Sequence, residues 1–291
     1  MERLISEMNE IRHLRNFGVE LGRPKRWPKR VVIMAWMNPP SVPPPQPHAL
    51  RPHTPLQAYY GNEVEHEQFL RRIFDSTAVD YDRIERVLAL GTGPWYRRSA
   101  LQRAGLNPGA AVLDVGIGTG LVARQALALI GSAGSLVGVD PSPGMMGQAQ
   151  LPGTLLLTGR AESLPQPDAS CDFLSMGYAL RHIADVTAAF AEFHRTLRPG
   201  GRLLVLEISK PAGPVGTAVL KAYMRAVVPL VARIVARKRD TAELWRYYWD
   251  TIEACIEPEA VLSALRKAGF QDVRRHVELG IFSEYTATKA A

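Results

Sequence analysis

Cysteine is scarce in this chain, which contains only two, Cys171 and Cys255, in 291 residues. The two stand far apart and match neither the ligand spacing of a metal site nor that of a redox pair. The sequence therefore predicts no metal site. A reduced protein in the cytoplasm is the default interpretation of such a composition.

Long apolar runs are missing as well. The run from Val31 to Met37 is too short to cross a bilayer. The apolar segment 213–236 is interrupted by Pro229 and by recurring lysine and arginine residues. We therefore expect no membrane-spanning helix.

A uniformly basic body is the third feature that the chain lacks. The net charge is +7, but residues 1–55 hold nine Lys/Arg and four Asp/Glu, so the rest of the chain is close to neutral. This distribution argues against a nucleic-acid partner. Residues 1–56 are basic and proline-rich and are predicted to be a disordered tail without an assigned role. Residues 57–291 are predicted to form one folded domain.

The dominant feature that is present is a glycine-rich loop after Asp114. The apolar run before the loop and the run without breakers after it indicate a strand, a tight loop and a helix. Leu121 stands where a dinucleotide-binding loop has its third glycine, which disfavours nicotinamide and flavin. Asp140 ends the next strand-like run, where a carboxylate can accept both hydroxyls of a ribose. The spacing is the form seen in class I S-adenosylmethionine-dependent methyltransferases.

Short apolar runs then alternate with helix-compatible stretches. This alternation predicts a Rossmann-like α/β fold with a seven-stranded, mostly parallel sheet and helices on both faces. Only a turn at Gly280 separates the last two strands, so the last strand should be antiparallel. Helical segments before the first strand and between the fifth and sixth are predicted to form a cap. The predicted strands are 111–115, 135–139, 154–158, 172–176, 202–208, 273–279 and 281–288.

Ligands of such sheets bind outside the carboxyl ends of the strands, so the loops that follow the strands are candidate pocket walls. Methionine side chains after the second strand either lie against an adenine face or pack in the core. Cationic, aromatic and imidazole groups after the fourth strand are candidates for chemistry. The residues predicted to bind a cofactor are Asp114, Gly116, Gly118, Gly120, Asp140, Pro141, Met145, Ala161, Glu162 and Met176.

Further motifs make the chain similar, over residues 68–289, to the ubiquinone/menaquinone biosynthesis C-methyltransferases of the UbiE type. The resemblance implies a methyltransferase domain at 57–291 with cap elements at 57–108 and 211–255. It also implies S-adenosylmethionine as cofactor and a prenylated quinol or phenol as the acceptor of a C-methylation in ubiquinone or menaquinone biosynthesis. The motifs are Phe74-Asp75-Ser76, Tyr81-Asp82, Ala161 to Pro165, Leu180-Arg181, Leu197 to Gly201 and Leu206 to Pro211.

The chain departs from this family near the expected ligands. Arg160 stands where an acidic or amide residue usually reaches the adenine amino group, which leaves that contact to the backbone of Ala161 or to Glu162. The segments 178–182 and 280–285 also differ from the family pattern. One alternative is therefore a methyltransferase, acting at carbon or oxygen, of small phenolic or polyketide metabolites. Another is a module that binds cofactor or RNA without catalysis.

The chemistry itself requires little of the protein. A sulfonium methyl group is already electrophilic, so the protein must align a nucleophile and exclude water. Removal of a phenolic proton activates the ring carbon, so a base is useful, and Asp82 is one candidate. The family pattern implies that Arg181 holds the phenolate or a bridging water, and we expect its guanidinium to stay protonated. The predicted catalytic residues are Arg181, His182, Tyr178 and Tyr81.

The apolar segment 213–236 has two interpretations. It buries a prenyl tail or lies on a bilayer surface through its basic face, or it is an ordinary helical cap packed on the sheet. The predicted partners are a lipophilic phenolic or quinol substrate, a membrane surface and a second copy of the chain. The predicted location is the cytoplasm, peripheral to the inner membrane.

Overall fold

The computed structural model describes residues 49–236 and 240–291. Most of the predicted tail, residues 1–48, lies outside this part of the chain. Residues 49–56 belong to the predicted tail but lie against the folded domain. The Leu50 amide donates to the Asp185 carboxylate at 3.2 Å, and His53 forms an isolated β-bridge with Cys255. The folded domain therefore begins before residue 57.

A seven-stranded sheet forms the centre of the domain, with the order β3-β2-β1-β4-β5-β7-β6. The first five strands run parallel, and β7 is antiparallel to both of its neighbours. The predicted fold class is confirmed. The strands are β1 (Ala111–Val115), β2 (Ser135–Asp140), β3 (Leu155–Thr158), β4 (Cys171–Gly177), β5 (Leu197–Ile208), β6 (Phe270–Glu278) and β7 (Phe282–Lys289).

Helices cover both faces of the sheet and its ligand-binding edge. The helices are α1 (Glu63–Leu88), α2 (Gly93–Arg103), α3 (Leu121–Ile130), α4 (Pro143–Gln148), α5 (Val186–Thr196), α6 (Pro214–Ala222), α7 (Val228–Val235), α8 (Thr241–Ala254) and α9 (Pro258–Lys267). A π-helical turn, Tyr223–Val227, joins α6 to α7, and a 3₁₀ turn, Leu180–His182, follows β4.

Three apolar clusters hold these layers together. One packs α5 and α9 on the sheet around Phe190, and a second packs α2 and α3 on the other face around Leu101. The third lies within the cap, where Ile73 of α1 and Trp249 of α8 are fully buried. Burial of such side chains contributes about 2 kcal/mol each. The cap is thus a packed layer of its own that closes over the carboxyl ends of the strands.

The apolar segment 213–236 folds as the helix pair α6 and α7, and Pro229 stands in the first turn of α7. A proline is tolerated there because its missing N–H would have no partner in the helix. Within residues 49–236 and 240–291, no helix is long and apolar enough to cross a membrane.

Candidate active site

A cavity with about 1320 Å³ of empty space, partly open to solvent, lies between the strand ends and the cap. The loops after β1 to β4 form one wall, and side chains of α1, α2 and α8 form the other. Every residue predicted to bind the cofactor lines this cavity except Gly120. Of the four predicted catalytic residues, Tyr81, Tyr178 and His182 line it and Arg181 does not.

The glycine loop owes its shape to backbone conformations that favour glycine. Gly116, Gly118 and Gly120 have φ of 68°, 54° and 84°, in the left-handed region that other residues rarely adopt. A Cβ on Gly116 would lie 2.6 Å from that of Ala179, and one on Gly120 would lie 2.8 Å from Leu151 Cδ1. Gly120 therefore shapes the start of α3, while the other two glycines leave room in the cavity.

Asp114 lies near the end of β1, and one of its carboxylate oxygens has no hydrogen-bond partner within the described part of the chain. Its Oδ1 accepts from the Ser175 hydroxyl at 2.6 Å, whereas its Oδ2 has no hydrogen-bond partner among the described residues. The side chain is 1% exposed, and burial raises the pKa of this carboxyl to about 7. A buried, unpaired acceptor in a ligand cavity is suited to a cationic donor such as an ammonium group.

Asp140 is oriented by the two loops that it joins. Its oxygens accept from the Gly118 and Ser142 amides, both at 2.8 Å. Burial raises the pKa of this carboxyl to about 6. Because each carboxylate oxygen can accept more than one hydrogen bond, Asp140 keeps the capacity to accept two ligand hydroxyls.

Two carboxylates of α1 brace these loops from the cap. Asp75 accepts from the Ser142 hydroxyl at 2.5 Å and from the Gly144 amide at 2.8 Å. Asp82 accepts from the Thr119 hydroxyl and pairs with Arg124 at 2.7 Å. Asp82 is thus tied to the glycine loop and to α3, and it does not line the cavity, so its candidacy as a base stays a prediction.

In the loop after β3, the Glu162 carboxylate is hydrogen-bonded within the protein. Glu162 Oε1 accepts from the amides of Ala184 and Asp185 at 2.5 and 3.3 Å, so the carboxylate ties this loop to the one after β4. Arg160 pairs with Glu67 of α1 at 3.1 Å. The predicted adenine contact of Glu162 or of the Ala161 backbone stays a prediction.

The two methionines after β2 have different surroundings, one in the ligand cavity and one in the apolar core. Met145 lines the cavity, and its Cε lies 3.3 Å from the place of a Cβ on Gly118. Met146 belongs to the apolar cluster of α2 and α3. The thioether available to a ligand is therefore that of Met145.

His182 presents a neutral imidazole at the cavity. Its ring stacks on Tyr247 with centroids 5.5 Å apart and meets Phe74 edge-on at 5.3 Å. Nδ1 lies 3.4 Å from the Tyr247 hydroxyl, and Nε2 has no partner among the described residues. Burial, followed by the charge of Arg181, holds the pKa of this ring well below its usual value. The ring is therefore uncharged at neutral pH, and its Nε2 is free to accept a hydrogen bond from a ligand.

Arg181 lies behind the cavity wall. It is completely buried and pairs with Glu207. Its guanidinium lies 4.4 Å from the ring centroid of Tyr248, which lines the cavity. The Tyr248 hydroxyl lies 2.8 Å from that of Tyr81. Arg181 does not line the cavity, and Nε and Nη2 of its guanidinium have no hydrogen-bond partner among the described residues. Its predicted hold on the phenolate or on a bridging water stays a prediction.

Tyr178 occupies a conformation that is rare for a residue with a side chain. Its φ is 61°, and its ring lies 5.7 Å from the guanidinium of Arg97. Strained backbone of this kind costs about 1–3 kcal/mol and is concentrated at ligand sites. Tyr178 lines the cavity, and its predicted catalytic role stays a prediction.

Sequence reasoning missed Tyr248 and Arg97, both of which line the cavity. Arg97 belongs to no motif used above. Tyr248 lies in a run of aromatic residues from Trp245 to Trp249, in which Tyr247 and Trp249 are core residues. The only available signal was the density of aromatic side chains on one helix, which does not distinguish a cavity wall from a core.

Comparisons with known proteins agree with this geometry. The model of the ubiE/COQ5 methyltransferase family matches residues 62–289. The ubiquinone/menaquinone biosynthesis C-methyltransferase UbiE of Hahella chejuensis is 32% identical, over 78% of this chain and 94% of its own length. The demethylmenaquinone methyltransferase of Deinococcus radiodurans is 34% identical, over 79% and 96%.

Solved structures share the fold. The phosphoethanolamine N-methyltransferase 2 of Haemonchus contortus, in complex with S-adenosyl-L-methionine, has a TM-score of 0.56 at 17% identity and covers 78% of this chain and 60% of its own. At this identity the likeness shows the fold alone.

Proposed function

The chain belongs to the ubiE/COQ5 methyltransferase family, and we propose that it transfers the methyl group of S-adenosylmethionine to a ring carbon of a prenylated quinol or phenol. Relatives at 32% and 34% identity are named for ubiquinone/menaquinone biosynthesis and for demethylmenaquinone. A demethyl quinol is therefore the first acceptor to test. The observation that carries the proposal is the neutral, unpartnered His182 imidazole in the cavity that the glycine loop and Asp140 form.

The cavity fits S-adenosylmethionine in four respects. The free Oδ2 of Asp114 is an acceptor for the ammonium group of the methionine part. The Asp140 carboxylate, at the end of β2, is an acceptor for the ribose hydroxyls. The absence of a Cβ at Gly116 and Gly118 lets the ligand approach the backbone closely. Met145 offers a thioether to the adenine face.

When bound, S-adenosylmethionine supplies a methyl group on a positively charged sulfur, which is electrophilic without further activation. The chain's own residues must then place the acceptor ring and keep water away. Phe74, Tyr178 and Tyr248 line the cavity with aromatic faces suited to a flat ring. The paired hydroxyls of Tyr81 and Tyr248 offer one hydrogen bond to a ring oxygen.

His182 is the group best suited to take the acceptor proton. An aromatic carbon becomes a stronger nucleophile when the neighbouring phenol loses its proton, and the uncharged Nε2 can accept that proton. After transfer, the ring carbon must also release its hydrogen to restore aromaticity, so one proton leaves the site in each turnover. Arg181, charged and buried behind Tyr248, acts electrostatically on the same region.

A direct assay tests this function. Purified protein is incubated with isotope-labelled S-adenosylmethionine and a short-chain demethyl quinol under reducing conditions, and the product is fragmented by mass spectrometry. We expect label on a ring carbon. No transfer to any demethyl quinol or phenol would overturn the proposal.

A second acceptor class rests on the departures from the family pattern. Tyr178 and His182 line the cavity, so the changed segment 178–182 does face the acceptor. Tyr285 of the other changed segment is buried in the sheet core instead. A small phenolic or polyketide acceptor is thus favoured by one segment only. Label on oxygen, or turnover restricted to water-soluble phenols, would identify this alternative.

A lipophilic acceptor must be taken from a bilayer, and the helix pair α6 and α7 is suited to lie on one. Large apolar side chains there face solvent, and they are Val215, Val219, Val227, Leu230 and Ile234. Residues 211–239 contain no acidic residue and six basic ones. An exposed apolar stripe beside basic groups fits the surface of an anionic membrane. A cytoplasmic location and a homodimer remain predictions.

A further inference from the structure

A buried guanidinium that the proposed mechanism does not use lines the same cavity. Arg97 of α2 is 3% exposed. Its Nη2 donates to Glu85 of α1 at 2.6 Å. Its Nε and Nη1 have no hydrogen-bond partner among the described residues. Two of its nitrogen atoms are therefore left with unsatisfied hydrogen atoms beside the ligand space.

Unpartnered donors on a buried cation are costly, because the group has lost water and gained nothing in return. Burial opposes the charge of Arg97, but the neighbouring Tyr178 and Glu85 raise its pKa overall. The side chain is therefore charged, and only one arm of its fork is neutralised within the protein. The remaining N–H groups, on Nε and Nη1, point away from different edges of the guanidinium, so each is a separate donor suited to an anionic oxygen.

The surroundings hold this side chain in place. A Cβ on the buried Gly93 would lie 2.6 Å from Arg97 Nη1 and 2.5 Å from Glu85 Oε1, so the first residue of α2 must be small for the pair to form. On the other side, the guanidinium lies against the ring of Tyr178 at 5.7 Å. Arg97 is thus fixed between two helices and the strained residue after β4.

We propose that Arg97 donates a hydrogen bond to an anionic oxygen in the cavity through one of its two unpartnered nitrogens, Nε or Nη1. Two ligands of the proposed reaction carry such an oxygen, so the proposal rests on that function for their identity. One is the carboxylate of the methionine part of the cofactor. The free Asp114 Oδ2 in the same cavity supplies the opposite charge that an amino-acid zwitterion needs. The other is the ring oxygen of the acceptor, which becomes negative as its proton leaves.

Binding measurements distinguish the two sources. The product S-adenosylhomocysteine and its decarboxylated analogue are titrated calorimetrically into wild-type protein, Arg97→Met and Arg97→Lys. Arg98→Met is the matched control, because Arg98 is the next residue of the same helix and is exposed. If the cofactor carboxylate is the ligand, Arg97→Met weakens S-adenosylhomocysteine about 10- to 100-fold. The analogue then binds all variants within twofold, and Arg97→Lys recovers part of the loss.

If the acceptor oxygen is the ligand, the affinity for S-adenosylhomocysteine stays within twofold and kcat/KM for the acceptor falls by a similar factor. Either result supports the proposal. Unchanged values for both ligands in Arg97→Met would overturn it, and so would equal losses for the two cofactor analogues. If Arg97→Met does not fold, the charge-free pair Glu85→Gln/Arg97→Gln is used instead. The calorimetric arm needs no acceptor, so absence of quinol methylation does not affect its outcome.

Discussion

At the scale of single residues, the cavity is distinguished by polar atoms that the protein leaves unsatisfied. Asp114 Oδ2, His182 Nε2 and the two nitrogens of Arg97 all lack a partner among the described residues. Such atoms are rare in native folds because each one costs desolvation free energy. The residues that carry these four atoms line one cavity, where a bound ligand can supply the missing partners.

His182 is predicted to be the base. Replacement His182→Asn should lower kcat by about 10²- to 10⁴-fold with little change in the affinity for S-adenosylhomocysteine. Because the pKa of His182 lies well below its usual value, wild-type activity should fall only when the pH drops through that low pKa and protonates the ring. The acid limb of the pH profile should disappear in the variant. His276→Asn, an exposed histidine of β6, is the control, and an unchanged kcat in His182→Asn would contradict the assignment.

Asp114 is predicted to make the ligand-free protein less stable as the pH rises. Its pKa is about 7 in the fold and about 3.9 in an unfolded chain. Between these values the folded protein binds a proton that the unfolded chain does not, so the free energy of unfolding falls from about pH 4 to pH 7. Asp114→Asn should gain stability over wild type at pH 8, by up to about 4 kcal/mol, and little at pH 4.

Urea unfolding at the two pH values measures this difference. Asp168→Asn is the control because Asp168 is an exposed carboxylate whose side chain is 79% accessible. Asp114→Asn should also lose cofactor affinity, since it loses the charge that the ammonium group needs. A stability difference that does not depend on pH would show that the Asp114 carboxyl is ionised in the fold like an ordinary aspartate.

At the scale of secondary-structure elements, α1 connects the cap to the cofactor loops. It runs from Glu63 to Leu88, and its carboxylates Asp75 and Asp82 reach α4 and the glycine loop. The helix α4 has only six residues, too few to be stable alone. Its position therefore depends on the hydrogen bonds that Asp75 accepts from Ser142 and Gly144.

Asp75→Ala is predicted to loosen the loop that carries Asp140. The variant should lose about 1 kcal/mol of stability, because the Ser142 hydroxyl and the Gly144 amide lose their acceptor, and it should bind S-adenosylhomocysteine more weakly. Calorimetry and thermal unfolding test both effects. Gln68→Ala, at an exposed position of the same helix, should change neither quantity. Full affinity in Asp75→Ala would mean that α4 is held by packing alone.

At the scale of the whole molecule, the cap contains side chains that line the cavity and also an exposed apolar stripe. The stripe consists of Val215, Val219, Val227, Leu230 and Ile234. The stripe residues are among the most exposed large apolar side chains described, with Val215 at 77% and Ile234 at 75%. A soluble surface normally shows such residues singly. Their succession along one helix pair of the cap is the reason for a membrane-docking proposal.

Charged substitutions on this stripe are predicted to uncouple binding to vesicles from chemistry. Val219→Glu/Ile234→Glu should reduce cosedimentation with vesicles that contain anionic lipid, and turnover of a vesicle-embedded quinol should fall with it. Turnover of a short-chain, soluble quinol should stay at the wild-type rate. Val64→Glu, an equally exposed valine of α1 at 65%, is the control. Unchanged cosedimentation of the double variant would contradict the proposal.

The sequence alone determined the fold class, the family and the cofactor loops. These features are local: strand, glycine loop and helix follow each other without interruption from Val112 to Ile130, and Asp140 ends the next strand, so spacing along the chain translates directly into position. The tertiary structure decided which side chains meet above them. In it, Arg181 lies behind the ring of Tyr248, and Asp82 is hydrogen-bonded to the glycine loop. The tertiary structure also brought Arg97 and Tyr248 into the cavity from separate helices. Contacts between elements distant in the chain depend on how the cap packs, and no spacing in the sequence reports that packing.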